Sequence, residues 1–351
     1  MFPKIRNLKE VLPFIQGKEE FVHLDRGNYS IIDYVCNFPK TFPNKGEPDW
    51  AIYREFRGIA FDAEGNIISR PLMKFFNVSE KPDEQRDLDW SQATALEKLD
   101  GSMVRPLWLK DHYRLATRKG IGEVSMQAEE FLEESGLKAR YFNFFDYCRL
   151  CQVTPVFEWC SRQNRIVIDH PEERLVLLVM RDLYTGKYYS HAAMIDAIET
   201  RPIPVVALRN SPQTILLSDK FIEEIKNLKG EEGVVVSFPC GSMVKIKADD
   251  YCQLHRTKSL FDSEKNIVEA FIEGNLDDLY PLLTVIQKCR LEKYLDDFEK
   301  GLKDSVRELN HVRSYGVHYL VKKEYACDFV LKQEKKWHPF LFQIWENRNI
   351  S

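Results

Sequence analysis

The sequence predicts an α+β fold, with antiparallel sheets over residues 1–260 and a smaller all-helical domain over residues 261–351. Short β-branched or aromatic runs, separated by turn signals, recur through the first part of the chain. Because few of these runs alternate with helices, they favour antiparallel sheets over a parallel β-α-β sheet. Beyond Ser259 apolar residues recur at steps of three and four, which is the pattern of amphipathic helices.

The individual elements follow from these two periodicities. Eight runs bounded by turn signals predict strands at residues 29–35, 58–61, 94–99, 114–117, 153–159, 175–180, 233–238 and 243–246. Helical spacing in the first domain occurs at 124–132, 141–150 and 219–228. In the second domain it is clearest from Leu291 to Leu309, with weaker signals at 267–276 and 340–345.

Composition narrows the classes of protein. The 351 residues are 44% hydrophobic and 12% aromatic, which is ordinary for a globular protein of two unequal domains. A formal net charge of −4 argues against a protein that coats long nucleic acids, since these usually carry a basic excess. Any contact with RNA must therefore come from a local basic surface.

We expect neither a membrane span nor a signal peptide. The longest purely apolar run, residues 175–180, is far shorter than the roughly 20 residues that cross a bilayer, and the first residues lead into no signal-peptide core. A lone C-x-x-C at Cys148 and Cys151 lacks the second pair that a zinc site needs, so we interpret the cysteines as reduced thiols. We therefore expect a cytoplasmic protein without a membrane partner.

One lysine starts the chemical argument. Lys98 ends a predicted strand and is followed by Asp100 and Gly101. Because residues two apart in a strand share a face, we expect Lys98 and Asp100 to enter one pocket. K-x-D-G alone is weak, since about one chain in ten of this length contains it by chance, and a surface strand end is the alternative.

Four further acidic and basic positions support a nucleotide site. Lys245 and Lys247 alternate with aliphatic residues, so both face one side, where their repulsion calls for an anion such as a triphosphate. The alternative is a solvated edge strand. Glu232 precedes Gly233 and could hold a metal or a ribose hydroxyl, or mark a helix-to-strand turn. Glu158 lies inside an apolar strand, so it needs either a structural partner or a ligand.

In this order, K-x-D-G, a strand glutamate, E-G and K-x-K resemble the covalent nucleotidyltransferases: RNA ligases, DNA ligases and mRNA capping enzymes. The sequence is most similar to the phage-type tRNA-repair RNA ligases, the RNA ligase 1 type. Further matches over about residues 29–260 are Arg57-Gly58-Ile59, Ser69-Arg70-Pro71, Lys74-Phe75-Phe76-Asn77, Lys119-Gly120, Asn164-Arg165-Ile166-Val167, Tyr251, Leu254-His255 and Thr257-Lys258-Ser259. The helical tail resembles that family's C-terminal domain loosely.

The resemblance implies ATP-dependent joining of RNA 3′-OH and 5′-phosphate ends through lysyl-AMP on Lys98. Residues 1–260 would be the adenylyltransferase domain, and residues 261–351 a domain for tRNA specificity. A lysine attacks only when neutral, and with a pKa of about 10.4 a free lysine is roughly 0.1% neutral near pH 7.5, a cost of about 4 kcal/mol. Burial and neighbouring cations reduce that cost, and we expect Lys245, Lys247 and a bound metal to act here.

Roles at single positions also follow from the resemblance. Catalytic roles are implied for Lys98, Asp100, Gly101 and Lys119. Nucleotide contacts are implied for Tyr34, Arg57, Lys74, Phe76, Glu158, Glu232, Gly233, Lys245 and Lys247. Mg²⁺ or Mn²⁺ is the implied cofactor, with Glu232 and Asp100 as candidate ligands. Core packing remains the alternative for Phe76, and a surface charge the alternative for Lys119.

The implied partner is RNA, specifically a nicked tRNA, and we expect a monomer without a protein partner in the cytoplasm, including that of a phage-infected cell. Lysines of the helical tail could contact phosphates or simply face solvent: Lys322, Lys323, Lys332, Lys335 and Lys336. A DNA ligase or capping enzyme would continue with an OB-fold of about five strands, whereas the tail is helical in period. A nucleotide-dependent RNA-binding protein without catalysis is the other alternative.

Overall fold

The structure is a computed structural model that describes residues 2–36, 38, 40–164, 166–210, 218–261, 263–272, 274 and 276–347. The chain forms two compact units, Met1–Lys258 and Ser259–Ser351. The sheets and all the candidate site residues lie in the first unit. Arg165, part of one matching segment, lies outside the described residues. None of the helices in the described part of the chain combines the length and the apolar character that a bilayer crossing demands.

The strands of the described residues are, in chain order, β1 (Phe21–Asp25), β2 (Tyr29–Tyr34), β3 (Arg57–Asp62), β4 (Ile67–Ser69), β5 (Phe76–Asn77), β6 (Thr94–Glu97), β7 (Ser102–Leu109), β8 (His112–Ala116), β9 (Val153–Cys160), β10 (Arg174–Asp182), β11 (Leu208–Asn210), β12 (Gly233–Ser237) and β13 (Met243–Lys247). The eight predicted strands correspond to β2, β3, β6, β8, β9, β10, β12 and β13. The predicted strand at 94–99 was two residues too long, because β6 ends at Glu97.

The α-helices of the described residues are α1 (Leu12–Ile15), α2 (Trp50–Glu55), α3 (Pro82–Gln85), α4 (Glu123–Glu134), α5 (Lys138–Leu150), α6 (His191–Ile198), α7 (Ser218–Lys226), α8 (Asp249–Ser259), α9 (Glu264–Ile272), α10 (Leu276–Leu279), α11 (Val285–Tyr315), α12 (Lys322–Glu324) and α13 (His338–Asn347). The predicted helical segments correspond to α4, α5, α7, α9, α11 and α13.

Three sheets build the first unit. The first sheet has the order β1-β2-β3-β4, the second β10-β9-β7-β8, and the third β11-β6-β12-β13-β5. Among the described strands every pairing is antiparallel except that of β13 with the two-residue β5. The predicted α+β class with antiparallel sheets is confirmed.

Strand alternation decides which side chains face the site. On β9, Phe157 and Trp159 are buried in a core with α4 and α5, so Glu158 points to the opposite, inner face of the second sheet. On the third sheet, α7 packs against the face that carries Val244 and Ile246. Lys245 and Lys247 therefore project from its inner face.

The inner faces of the second and third sheets meet through two small apolar clusters. One contains Leu96, Leu99 and Val176, and the other contains Leu72 and Val156. Lys98, just after β6, and Glu158, on β9, both lie at this interface between the sheets. Charged groups are therefore brought together at one end of the interface. Burial of the apolar neighbours fixes the strands that carry them.

The second unit is helical in its described residues. Thr284 begins the 31-residue helix α11 with a capping box. One small core surrounds Leu291, and another surrounds Tyr325 and contacts Leu309. Leu302 and Val306, which belong to the predicted apolar stripe, are about half exposed because they lie between these two cores.

Candidate active site

Lys98 lies in a three-membered ion-pair group at the end of β6. Its Nζ is 2.6 Å from Oε1 of Glu232, and Nζ of Lys247 is 3.0 Å from the same oxygen. The Glu232 side chain is only 4% exposed, whereas 20% of the Lys98 side chain remains open to solvent. The structure thus unites three residues predicted from separate motifs, and it leaves the lysine amine accessible.

Two glycines allow this close assembly. The backbone N–H of Lys98 donates to the carbonyl of Gly233 at 2.9 Å, which ties the lysine to the start of β12. Gly233 has φ +134°, and a Cβ there would lie 2.1 Å from the carbonyl oxygen of Ile246. At Gly101 a Cβ would lie 2.4 Å from the carbonyl oxygen of Trp159. Both predicted glycines are therefore required by close backbone approach.

Asp100 is buried and anchors the loop that carries Lys98. Its Oδ2 accepts hydrogen bonds from the backbone N–H groups of Val167 and Ile168 at 2.7 and 2.6 Å. Its Oδ1 accepts one from the hydroxyl of Tyr251 at 2.7 Å. The carboxylate therefore faces these three donors. Asp100 and Lys98 both act electrostatically on Glu158, and the expectation that they enter one pocket stays a prediction.

Glu158 faces the lysine group from the second sheet. Burial raises its pKa to about 8, the positive charge of Lys98 opposes this rise, and the negative charge of Glu232 adds to it. The carboxyl is thus a poorly compensated acid next to the candidate nucleophile. It is placed to meet a hydroxyl group or a cation.

Three predicted cations lie near one another beyond the lysine group. Burial lowers the pKa of Lys245 to about 7, and the positive charges of Arg57, Lys74 and Lys98 contribute to this lowering. Burial likewise lowers the pKa of Lys74, and the positive charge of Arg57 lowers it further. These groups repel one another, and an anionic ligand between them would relieve that repulsion.

Aromatic rings surround the cations. The ammonium of Lys74 lies 5.3 Å from the ring centres of Tyr34 and Phe42 and 5.4 Å from that of Phe76. Phe76 is also buried in the core beneath the first sheet, so the packing alternative and the contact with a site residue both hold for it. Ring faces attract cations, so these aromatics fix the direction of the ammonium.

Phe75, which precedes Phe76, was not predicted to be a residue of the site. Phe75 lies 5.3 Å from the ammonium of Lys245 and 5.8 Å from the guanidinium of Arg57, measured at its ring centre. Only the alternation of side chains along 74–77 could have indicated that Phe75 turns to the other side from Phe76.

Lys119 stands apart from the other predicted residues. It is exposed in the turn after β8, and the structure gives it no hydrogen bond or ion pair with another described residue. Its neighbour Arg118 points inward instead, with Nε 3.3 Å from Oδ2 of Asp33 and Cζ 4.2 Å from the ring centre of Tyr34. Sequence reasoning passed over Arg118 because a turn does not reveal which of two adjacent basic side chains points inward.

An apolar cavity of about 300 Å³ adjoins the cations. Leu96 and Val235 of the third sheet, Leu178 and Val179 of β10, and Phe75 contribute to its walls. Lys98 follows Leu96 by two residues, so the cavity begins next to the lysine group. Its volume and apolar walls are typical of a small-molecule site.

The described residues contain no group of three or more histidine, cysteine or acidic side chains arranged to hold a metal ion. Glu232 forms an ion pair with Lys98, and both of these residues act electrostatically on Glu158. One or two carboxylates suit Mg²⁺ when substrate phosphates supply further oxygens. The prediction that Glu232 and Asp100 bind a metal stays a prediction.

Two solved structures are similar to this fold. An archaeal ATP-dependent RNA ligase in its form 2 has a TM-score of 0.51 at 15% identity, covering 86% of this chain and 78% of that one. Its form 1 has a TM-score of 0.50 at 17% identity, covering 91% and 84%. The fold of this chain is therefore similar to the fold of these RNA ligases.

Sequence comparison gives the family. The RNA ligase profile matches residues 55–251, more than half of the chain. A provisionally named RNA ligase of Thermovibrio ammonificans is 29% identical over 345 residues, covering 94% of this chain and 85% of the relative. RNA ligase 1 of bacteriophage TS2126 is 26% identical over 285 residues, covering 78% and 68%. The chain belongs to the RNA ligase family, and the resemblance predicted from its motifs is confirmed.

Proposed function

We propose that this RNA ligase uses ATP and forms lysyl-AMP on Lys98 before it joins 3′-OH and 5′-phosphate ends. The observation that carries the proposal is the position of the Lys98 amine. It is partly open to solvent and lies in one ion-pair group with Glu232 and Lys247, beside an apolar cavity and a cluster of cations. A base needs an apolar surface, and a triphosphate needs cations near the nucleophile, so the site offers both environments that ATP requires.

The apolar cavity would take the adenine, since its walls offer ring-sized apolar surfaces between the two sheets. Glu158 would then meet the ribose hydroxyls. Arg57, Lys74 and Lys245 would surround the phosphates, where the positive charge that lowers the pKa of Lys245 becomes favourable. Four of the predicted nucleotide residues, Glu158, Arg57, Lys74 and Lys245, would thus each contact a polar group of ATP.

Adenylation would begin when the nitrogen of Lys98 leaves its ion pair with Glu232 and gives up a proton to solvent water, to which the side chain is partly open. The N–P bond forms to the α-phosphorus while the bond to pyrophosphate breaks. The AMP then passes to the 5′-phosphate of RNA, and a 3′-OH displaces AMP to seal the strand. Asp100 would act as an anchor that fixes the direction of Lys98, through its bonds to Val167 and Tyr251.

A divalent cation, Mg²⁺ or Mn²⁺, would be held by Glu232 together with the phosphates of ATP. When bound, it would neutralise negative charge on those phosphates. Asp100 already accepts three hydrogen bonds, and these leave about one acceptor position on its carboxylate for a metal ion. Glu232 is the stronger candidate because its partners are exchangeable ammonium groups.

We further propose a nicked tRNA as the substrate and the helical C-terminal unit as its reader. Support comes from the helical character of this unit. The described residues after Lys247 include no strand, whereas the OB-fold of a DNA ligase or capping enzyme would require about five. Lys322 and Lys336 form ion pairs with acidic neighbours, so Lys323, Lys332 and Lys335 are the better phosphate candidates of the five tail lysines.

Incubation with α-labelled ATP and Mg²⁺, followed by a 5′-phosphorylated RNA with a free 3′-OH, tests the reaction. We expect labelled protein first and a sealed RNA afterwards, and neither product with Lys98→Ala. Lys138→Ala is the matched control, since Lys138 is an exposed lysine paired with Glu133. Absence of labelled wild-type protein would favour a binding protein without catalysis.

The tRNA proposal has its own test. A tRNA nicked in its anticodon loop should be sealed faster than a linear RNA with the same end sequences, and the full-length variant Lys323→Glu should lose that preference. Equal rates on both RNAs would contradict the tRNA proposal while leaving the ligase reaction intact. Faster sealing of nicked duplex DNA would instead favour a DNA ligase.

A further inference from the structure

Arg118 is a partly exposed arginine held from two sides. It follows β8, and its Nε lies 3.3 Å from Oδ2 of Asp33. Its Cζ lies 4.2 Å from the ring centre of Tyr34, a distance at which a guanidinium is attracted to an aromatic face. Because 29% of the side chain remains open to solvent, the guanidinium is positioned and still able to meet a ligand.

The surroundings of Arg118 carry more positive than negative charge. Asp33 is a buried carboxyl; burial raises its pKa to about 6, and the positive charges of Arg118, Arg105 and Arg57 oppose that rise. Burial also lowers the pKa of Lys74, and Arg118 contributes to this lowering. The negative charge of Glu80 opposes the lowering at Lys74. Two carboxylates, Asp33 and Glu80, thus face four cations, Arg57, Lys74, Arg105 and Arg118, and the excess repulsion favours an added anion.

The position of Arg118 relative to Lys98 indicates which anion Arg118 would bind. Arg57 acts electrostatically both on Glu158, which faces Lys98, and on Asp33, which pairs with Arg118. Arg57 is therefore near both acids, and Lys74 and Arg118 lie over the same ring, that of Tyr34, at 5.3 and 4.2 Å from its centre. Since the attacking and leaving groups of phosphoryl transfer are roughly in line, the departing pyrophosphate extends away from Lys98, toward these cations.

We propose that Arg118 binds the terminal phosphates of ATP, and that Asp33 and Tyr34 are positioning residues that hold its guanidinium toward them. This inference rests on the proposed use of ATP. A planar guanidinium offers parallel N–H donors to phosphate oxygens, which a lysine cannot do. Arg118 thus extends the phosphate contacts of Arg57, Lys74 and Lys245 by one residue.

Arg118→Ala separates this role from a structural one. For the variant we expect the half-saturating ATP concentration in single-turnover adenylation to rise about tenfold, equivalent to about 1.4 kcal/mol. The half-saturating pyrophosphate concentration for reversal of lysyl-AMP should rise by a similar factor. Sealing of a pre-adenylated RNA, which uses no triphosphate, should remain at the wild-type rate. Arg86→Ala is the control, because Arg86 is an exposed arginine that pairs with Asp83 away from the site.

The outcomes distinguish the inference from the proposed function. If wild-type protein forms no adduct with ATP, the proposed function fails. If the wild type reacts while Arg118→Ala matches it in ATP and pyrophosphate dependence, the inference alone is overturned. An equal loss in sealing of pre-adenylated RNA would also overturn it, since Arg118 would then contact RNA phosphates. Should Arg118→Ala melt well below wild type, Arg118→Lys decides: about a threefold rise for pyrophosphate supports the inference, and no rise overturns it.

Discussion

Replacing Tyr251 with phenylalanine tests whether Asp100 acts as an anchor. The substitution removes one hydroxyl that donates to Oδ1 of Asp100 at 2.7 Å, inside a buried site. A hydrogen bond to a charged group contributes about 1.5–3 kcal/mol. Because Val167 and Ile168 still donate to the other oxygen, we expect a loss of about 2 kcal/mol in the free energy of unfolding.

For a domain of this size that loss corresponds to a fall in Tm of about 4–8 °C. The loop that carries Lys98 should also loosen, and we expect adenylation to slow about tenfold at saturating ATP. The half-saturating Mg²⁺ concentration should change less than the adenylation rate, because the hydroxyl donates to Asp100 and only neighbours Glu232. Urea unfolding and single-turnover adenylation over a Mg²⁺ series measure these quantities.

Tyr141→Phe is the matched control for this experiment. The Tyr141 hydroxyl donates to a neutral carbonyl, that of Leu175, in the core under α5. The Tyr141→Phe substitution should lower the free energy of unfolding by about 1 kcal/mol and leave the adenylation rate unchanged. A Tyr251→Phe protein with wild-type stability, or with a large shift confined to its Mg²⁺ dependence, would refute the anchoring role of Asp100.

Three further predictions follow from the geometry around the lysine group. Glu232→Gln removes the charge that pairs with two lysines and should slow adenylation about 100-fold in a single-turnover assay, whereas Glu231→Gln, whose partner lies outside the site, should have little effect. Gly233→Ala places a methyl group 2.1 Å from a carbonyl oxygen at φ +134° and should abolish adduct formation, while Gly230→Ala, with open space around it, should only lower Tm slightly; equal effects would contradict the argument. Because the pKa of Lys245 is about 7, its ammonium loses its proton above that pH, and the ATP dissociation constant should rise by up to about tenfold per pH unit from pH 7.5 to 9. Calorimetry measures the ATP dissociation constant at each pH, and the Lys245→Arg variant should show a smaller rise between pH 7.5 and 9. An equal rise in the variant would exclude Lys245 as the cause of the pH dependence.

Much of the fold could be predicted because it depends on local pattern. The alternation in β13 placed Lys245 and Lys247 on one face, and the structure has them there. The apolar run around Glu158 predicted β9, and the steps of three and four predicted α11. The short β5 escaped because two residues carry no periodicity, and its parallel pairing depends on the third sheet.

The candidate site was predicted less completely, for a physical reason. The partners of Asp100 are 67 and 151 residues away along the chain, so only tertiary packing brings them together. The hydrogen bond from Lys98 to Gly233 likewise joins residues far apart along the chain, and no local pattern reveals it. Lys119 and Arg118 show the same limit, since the rotation of one turn decides which of them points inward.

The central claim is that Lys98 is the residue that becomes adenylated. Peptide mapping by mass spectrometry, after wild-type protein is exposed to ATP and Mg²⁺, tests it most directly. We predict one AMP adduct on the peptide that contains Lys98, attached through a bond stable to base and cleaved by acidic hydroxylamine, as a P–N bond should be. An adduct on another lysine, or sealing of 5′-phosphate RNA ends by Lys98→Ala with ATP, would contradict the account.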